Sequence, residues 1–228
     1  RDGPARLPVA SDGAPGGAGH GGGRSAGLGG AAGEYQRSSG EAACVAWEAG
    51  GWCGAGSSSV TLCDAGSWRG DTGGASQADC AACPAGSACA TGTVVPSACE
   101  PGSAAAAGSH VCNGCVAGTF QRLGGASACE ACSAGSYCLA RSPEPIECAP
   151  GGYGHESGLS ACLDCAAGEY QQSSGETACV ACEAGGWCGA GASSVTLCDA
   201  GSWRGTTGGA SQADCAACPA GSACATGA

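Results

Sequence analysis

The chain has 228 residues, 22 of them cysteine and 46 glycine, and a formal net charge of −11. Ala and Cys supply most of its apolar content, with no Met and a single Phe, so a conventional side-chain core is excluded and cross-links must replace it. All eight cations are Arg, scattered from Arg1 to Arg204, and the acidic balance argues against nucleic acid or anionic membrane as partners.

Cysteines in this number stay oxidised only outside a reducing cytosol, which predicts an extracellular or cell-surface protein. No uncharged stretch is apolar enough for a membrane span. The lack of Met predicts a mature form or an excerpt. The chain stops four residues after Cys224, inside a repeat, and this favours an excerpt from a longer array.

Residues 1–31 contain no Cys, and Gly16 to Gly23 is interrupted only by Ala18 and His20. Such a segment reads as a glycine-rich linker or a packed extended segment. Cysteine-rich repeats then occupy residues 32–98, 99–166 and 167–228. Ala32 to Gly92 returns almost unchanged as Ala167 to Gly227, offset by 135 residues. The differences pair Arg37 with Gln172, Ala42 with Thr177, Trp47 with Cys182, Ser57 with Ala192 and Asp71 with Thr206. A duplication of this kind marks an array whose members pack mainly on their sequence neighbours.

A shorter repeat lies inside the long one. It reads Cys, two residues, Gly, one residue, then an aromatic or Ala, as in Cys63/Gly66/Trp68 and Cys132/Gly135/Tyr137. Ten copies open with Cys: Cys63, Cys83, Cys99, Cys115, Cys132, Cys148, Cys165, Cys182, Cys198 and Cys218. Two more open with Gly30 and Trp47 where Cys is expected. The glycine is predicted to take positive φ and turn the chain beside the sulfur, with the aromatic packing on the disulfide.

Each opening Cys is expected to bond to the next Cys downstream, namely Cys80, Cys89, Cys112, Cys129, Cys138, Cys162, Cys179, Cys188, Cys215 and Cys224 in turn. Crossed pairing within the C-x-x-C groups is the alternative. Cys44 and Cys53 have lost their opening partners and are expected to bond to each other, completing eleven disulfides from 22 cysteines. The fold class is small disulfide-rich repeats: an extended rod of short β-hairpin-like loops with little regular secondary structure.

Zinc is the main rival use of the cysteines. Cys112/Cys115 with Cys129/Cys132, and Cys162/Cys165 with Cys179/Cys182, approach zinc-ribbon spacing. The same pairs sit in a continuous series with Cys138, Cys148, Cys188 and Cys198, which four-ligand sites leave unexplained. No βαβ pattern surrounds any pair, so a redox dithiol is disfavoured too.

Catalysis has little to stand on. His110 near Cys112 is the closest approach to a nucleophile and its base, while His20 and His155 sit alone in glycine-rich loops. Glu34, Glu41, Glu48, Asp64 and Asp71 lack calcium-loop spacing. No catalytic, cofactor-binding or metal-ligating residue is expected.

Three surface signals remain. Arg69-Gly70-Asp71 spells the integrin-binding tripeptide, which the second copy lacks because it reads Arg204-Gly205-Thr206. Asn113-Gly114-Cys115 is a rare variant of the N-glycosylation sequon that needs Cys115 free. Ser57, Ser58, Ser59 and Thr61 are candidate acceptors for O-linked sugar.

The motif Cys-Pro-Ala-Gly-Ser-x-Cys at Cys83 to Cys89 and Cys218 to Cys224 resembles the ephrin-receptor-like cysteine-rich repeat, and related loops occur in tumour-necrosis-factor-receptor-type modules. The resemblance runs from Ala32 to the end and departs at Gly30 and Trp47. It implies a rod of hairpin-like loops, as in cell-surface and secreted proteins of algae and other protists, including the mastigoneme filaments on flagella. Two functional classes follow. One is a structural, non-catalytic component of an extracellular filament or coat that self-associates or joins other filament subunits. The other is a receptor or adhesin ectodomain that binds a protein ligand. Near-identical copies favour the first, because a ligand site concentrates aromatic and Arg anchors on one distinctive surface.

Overall fold

In the computed structural model the described residues are 30–35, 45–46 and 48–228. Arg1 to Gly29, including the glycine-rich segment and His20, lie outside them, as do Cys44 and Trp47. The described residues divide into two compact units that alternate along the chain. The first takes the residues up to Pro84 with Ala88–Ser97 and Ala107–Val111; the second takes Ala85–Ser87, Ala98–Ala106 and Cys112–Ala228.

Both units are built from the same element, a hairpin of two strands of two residues each. Among the described residues eleven such two-stranded sheets occur, from Glu34–Tyr35 with Val45–Ala46 to Ser202–Trp203 with Ala216–Ala217. The only other regular elements among the described residues are two 3-10 turns, Gln77–Asp79 and Gln212–Asp214. Glycine three residues after the opening position has positive φ in every described repeat, from Gly33 (89°) to Gly221 (81°). This reverses the chain just after the cysteine and aims the aromatic position into the first strand.

An isolated two-stranded hairpin is marginal in water, and here every described hairpin from Ser67–Trp68 onward is closed by a disulfide. Ten disulfides join each opening cysteine to the next one along the chain: Cys63–Cys80, Cys83–Cys89, Cys99–Cys112, Cys115–Cys129, Cys132–Cys138, Cys148–Cys162, Cys165–Cys179, Cys182–Cys188, Cys198–Cys215 and Cys218–Cys224. Their Cα–Cα distances, 5.6 to 6.1 Å, sit in the usual range for the bond. The buried interior is mostly sulfur. Cys63, Cys83, Cys132 and Cys182 are fully buried, while Leu62, Leu163, Val180 and Leu197 remain exposed.

Backbone hydrogen bonds join successive hairpins in a recurring pattern of four. In the second unit, Gly135 donates to the Gly154 carbonyl (2.8 Å), Cys148 to Gly135 (2.9 Å), Cys138 to Leu159 (3.0 Å) and Gly158 to Cys132 (2.8 Å). In the first unit the same roles fall to Gly66 with Cys89 (2.8 Å), Cys83 with Gly66 (2.8 Å), Arg69 with Thr93 (3.1 Å) and Gly92 with Cys63 (2.9 Å). The turn glycine therefore both donates to and accepts from the next hairpin. These bonds satisfy backbone groups that two-residue strands leave unpaired.

A second positive-φ position completes each repeat. It is glycine at Gly92, Gly125, Gly158 and Gly175 and at most equivalents, and Arg141 (φ 63°) is the one non-glycine residue among the described residues to take this conformation. Its neighbour in space is the turn glycine two hairpins earlier: a Cβ on Gly118 would collide with the Gly158 carbonyl, and one on Gly135 with the Gly175 carbonyl.

Candidate functional site

The functional candidates are the cysteine staples, the orphaned cysteines and the two long loops between Cys63 and Cys80 and between Cys198 and Cys215. The sixth residue after each opening cysteine decides how the loop is held. In four repeats it is itself the closing cysteine: Cys89, Cys138, Cys188 and Cys224. In four others it is a long polar side chain that crosses the loop to the carbonyl just before the closing cysteine. Arg69 Nη1 donates to Asp79 (2.9 Å), Gln121 Nε2 to Ala128 (2.8 Å), Gln171 Nε2 to Ala178 (2.8 Å) and Arg204 Nη1 to Asp214 (3.0 Å). Gln121 and Gln171 are 7% and 8% exposed, and their amide oxygens accept from Leu123 and Ser173, both at 3.0 Å. Sequence reasoning missed this role. The signal was present as a polar residue directly after the aromatic, at Arg69, Gln121, Gln171 and Arg204.

The two longest loops carry a further device. Asp79 accepts from the backbone N–H groups of Ala75 (2.8 Å) and Ser76 (2.9 Å), and Asp214 from those of Ala210 and Ser211 at the same distances. The backbone donors at Ala75 and Ala210, then those at Ser76 and Ser211, hold both carboxyls below the ordinary aspartate range. The preceding hairpin pins the turn from outside. Trp52 Nε1 donates to Gln77 Oε1 and Trp187 Nε1 to Gln212 Oε1, both at 3.1 Å. These indoles are bound to the neighbouring loop, a role the expectation of packing on the local disulfide did not include.

Arg69-Gly70-Asp71 lies in the first of these loops. Asp71 is exposed, but the Arg69 guanidinium donates to the carbonyls of Asp79 and Thr72 (3.1 Å), so its charge is engaged within its own loop. Arg204 makes the equivalent bonds to Asp214 and Thr207 and adds one from Nε to Thr206 (3.0 Å). Arg69 Nε has no such partner and is the one buried side-chain polar atom without one among the described residues.

Cys53 is a free thiol, 1% exposed, and the partner expected for it, Cys44, lies outside the described residues. Its own repeat has lost the opening cysteine. Cys53 occupies the site of Cys188, whose partner Cys182 is replaced by Trp47 in this copy. Its backbone nevertheless keeps the repeat geometry: Cys53 donates to Gly74 (2.8 Å) and accepts from Gly33 (2.7 Å), as Cys188 does with Gly209 and Gly168. The thiol donates to the Ser59 carbonyl at 3.4 Å, and burial raises its pKa.

The remaining candidates are dispersed. His110 and His155 are exposed, and His155 lies 3.6 Å from Glu156. Among the described residues no group of three or more His, Cys, Asp or Glu is arranged to hold a metal ion, and no helix is long and apolar enough to cross a membrane. Cys115 is bonded to Cys129, so the Asn113 sequon lacks its free thiol. Ser58, Ser59 and Thr61 are exposed and Ser57 is half-buried.

The fold and the staples define a cysteine-rich repeat array of small disulfide-closed hairpins. Comparison with known protein families and with curated proteins found no match.

Proposed function

We propose that this chain is a non-catalytic structural segment of an extracellular filament or cell-surface coat, of the mastigoneme-like type, built from ephrin-receptor-like repeats. The observation that carries this reading is the equivalence of the two copies down to single hydrogen bonds. Trp52 to Gln77 recurs as Trp187 to Gln212, and Arg69 to Asp79 as Arg204 to Asp214, at distances that agree within 0.1 Å. Repetition at this level presents the same surface again and again, which suits lateral contacts that propagate along a fibre. A receptor site instead needs one surface unlike the rest. The one adhesive tripeptide has its arginine engaged inside the loop.

Self-association or contact with other filament subunits is the partner class, and O-linked sugar on Ser58, Ser59 or Thr61 fits an extracellular setting. Electron microscopy of native material before and after reducing agent tests the reading. Filaments that disperse on reduction are the expected result. A dispersed monomer that binds a soluble protein at one site replaces it with the receptor reading.

A further inference from the structure

Asn113 is the only Asn in the chain, and Gly114 follows it. The pair forms a two-residue strand opposite Ser103–Ala104, with Asn113 facing Ala104 and Gly114 facing Ser103. Asn113 is exposed. Cys115 donates its N–H to the Gly102 carbonyl at 2.9 Å, and bonded and non-bonded pairs alternate along an antiparallel ladder. The next pair, Gly114 with Ser103, is therefore a non-bonded one. In agreement, the Ser103 N–H turns away to the Glu100 carbonyl (3.1 Å). The Gly114 nitrogen thus stands outside the ladder, and no side chain on its own residue shields it.

Glycine at this site is an exception. The residue before an opening cysteine elsewhere is Leu, Ala, Glu or Asp, as at Leu62, Ala82, Glu147 and Asp164. Gly114 is the place where the Arg141 side chain lies, since a Cβ there would be 2.6 Å from Arg141 Cγ and Nε. Packing by Arg141 therefore keeps residue 114 without a side chain, beside the exposed Asn113.

We propose that Asn113 is a self-modification site that converts to aspartate and isoaspartate in the folded protein. The Gly114 backbone nitrogen, on losing its proton, attacks Asn113 Cγ. The new C–N bond closes a five-membered succinimide, the Cγ–N bond of the side-chain amide breaks, and ammonia leaves. Water then opens the ring at either carbonyl, giving aspartate or an isoaspartyl link. No electrons are exchanged. Each conversion adds one negative charge, and the isoaspartyl product inserts a methylene into the backbone between the Cys99–Cys112 and Cys115–Cys129 disulfides, where the register of Asn113 against Ala104 can no longer hold. The inference does not depend on the filament reading.

The test is incubation of the disulfide-intact chain at mildly alkaline pH in heavy-oxygen water, followed by peptide mapping. The reduced and alkylated chain serves as the unstructured reference, and Asn113→Gln, whose side chain is one methylene too long for the five-membered ring, as the control. One new acidic species is expected, with heavy oxygen at residue 113 in both product forms, formed within about a hundredfold of the reference rate because a two-residue strand opens readily. Asn113→Gln is expected to remain a single species. The proposal is overturned if residue 113 stays intact in the folded chain beyond that range, or if the acidic species persists in Asn113→Gln.

Discussion

Arg141 and Gly114 exchange the roles that other repeats assign to a glycine and a side chain. At several other joints the second positive-φ residue is glycine and lies under a side chain from two hairpins earlier: Gly92 under Leu62, Gly227 under Leu197, Gly175 under Glu147. At this one joint the positive-φ residue is Arg141 and the residue it faces is Gly114. One bulky side chain fills the space in either case, supplied from opposite sides.

Gly114→Leu alone is expected to destabilise by about 1–3 kcal/mol through overpacking against Arg141. Arg141→Gly alone should stay within about 1 kcal/mol of the parent, because relief of left-handed strain offsets the lost packing. The double substitution rebuilds the Leu62/Gly92 arrangement and should recover most of the loss, with a coupling of about 0.5–3 kcal/mol. Denaturant titration of the four proteins measures the cycle. Additive effects would show that the two sites are independent.

The close approach of Gly118 to Gly158 is asymmetric. A Cβ on Gly118 would strike the Gly158 carbonyl, whereas one on Gly158 meets nothing within 4 Å, although φ is positive at both. Gly158→Ala is therefore expected to cost about 1–2 kcal/mol, the left-handed penalty alone. Gly118→Ala adds a backbone collision and should cost clearly more. Thermal unfolding of both variants gives the order, and equal losses would refute the contact.

Restoring the lost opening cysteine should engage the buried thiol. Trp47→Cys is expected to form a disulfide with Cys53, as between Cys182 and Cys188, since the Cys53 backbone already makes the same two hydrogen bonds. Closing so short a loop should stabilise by about 2 kcal/mol. Thiol labelling under denaturing conditions checks the outcome: Cys53 reacts in the parent and becomes unreactive in the variant.

The carboxyls of Asp79 and Asp214 should report on the long loops through pH. Their folded pKa values are lowered, chiefly by the Ala75 and Ala210 backbone donors, so the stabilisation they lend is present above the ordinary aspartate value. It is lost as pH falls through the lower, folded value. NMR titration should therefore place both midpoints below that of an unperturbed aspartate. Asp79→Asn and Asp214→Asn should remove the acid-side transition of these loops while leaving the disulfide map unchanged. A midpoint at or above the ordinary value would disprove the turn-capping role.

Reading the residues in order was enough for everything local. The opening cysteine, the turn glycine and the closing cysteine lie within 17 positions of one another, so spacing alone predicts the ten staples and the hairpins they close. A glycine three residues past each cysteine announces its positive φ for the same reason: the turn is made within a few bonds. Cys53 was legible as an orphan, but its fate was not. Whether it meets Cys44 depends on where two chain segments lie in space, and the burial of its thiol beneath the Ser59 carbonyl is a tertiary fact.

The joints between repeats escaped the sequence because their partners come from different loops. Trp52 with Gln77, separated by 25 residues, Arg141 over Gly114, and Gly118 against the Gly158 carbonyl all depend on how one hairpin is rotated against the next. That rotation is set by the four backbone hydrogen bonds of each joint. Backbone groups carry no residue identity, so the spacing of cysteines and glycines determines each loop, while only the packed array decides which side chains meet between them.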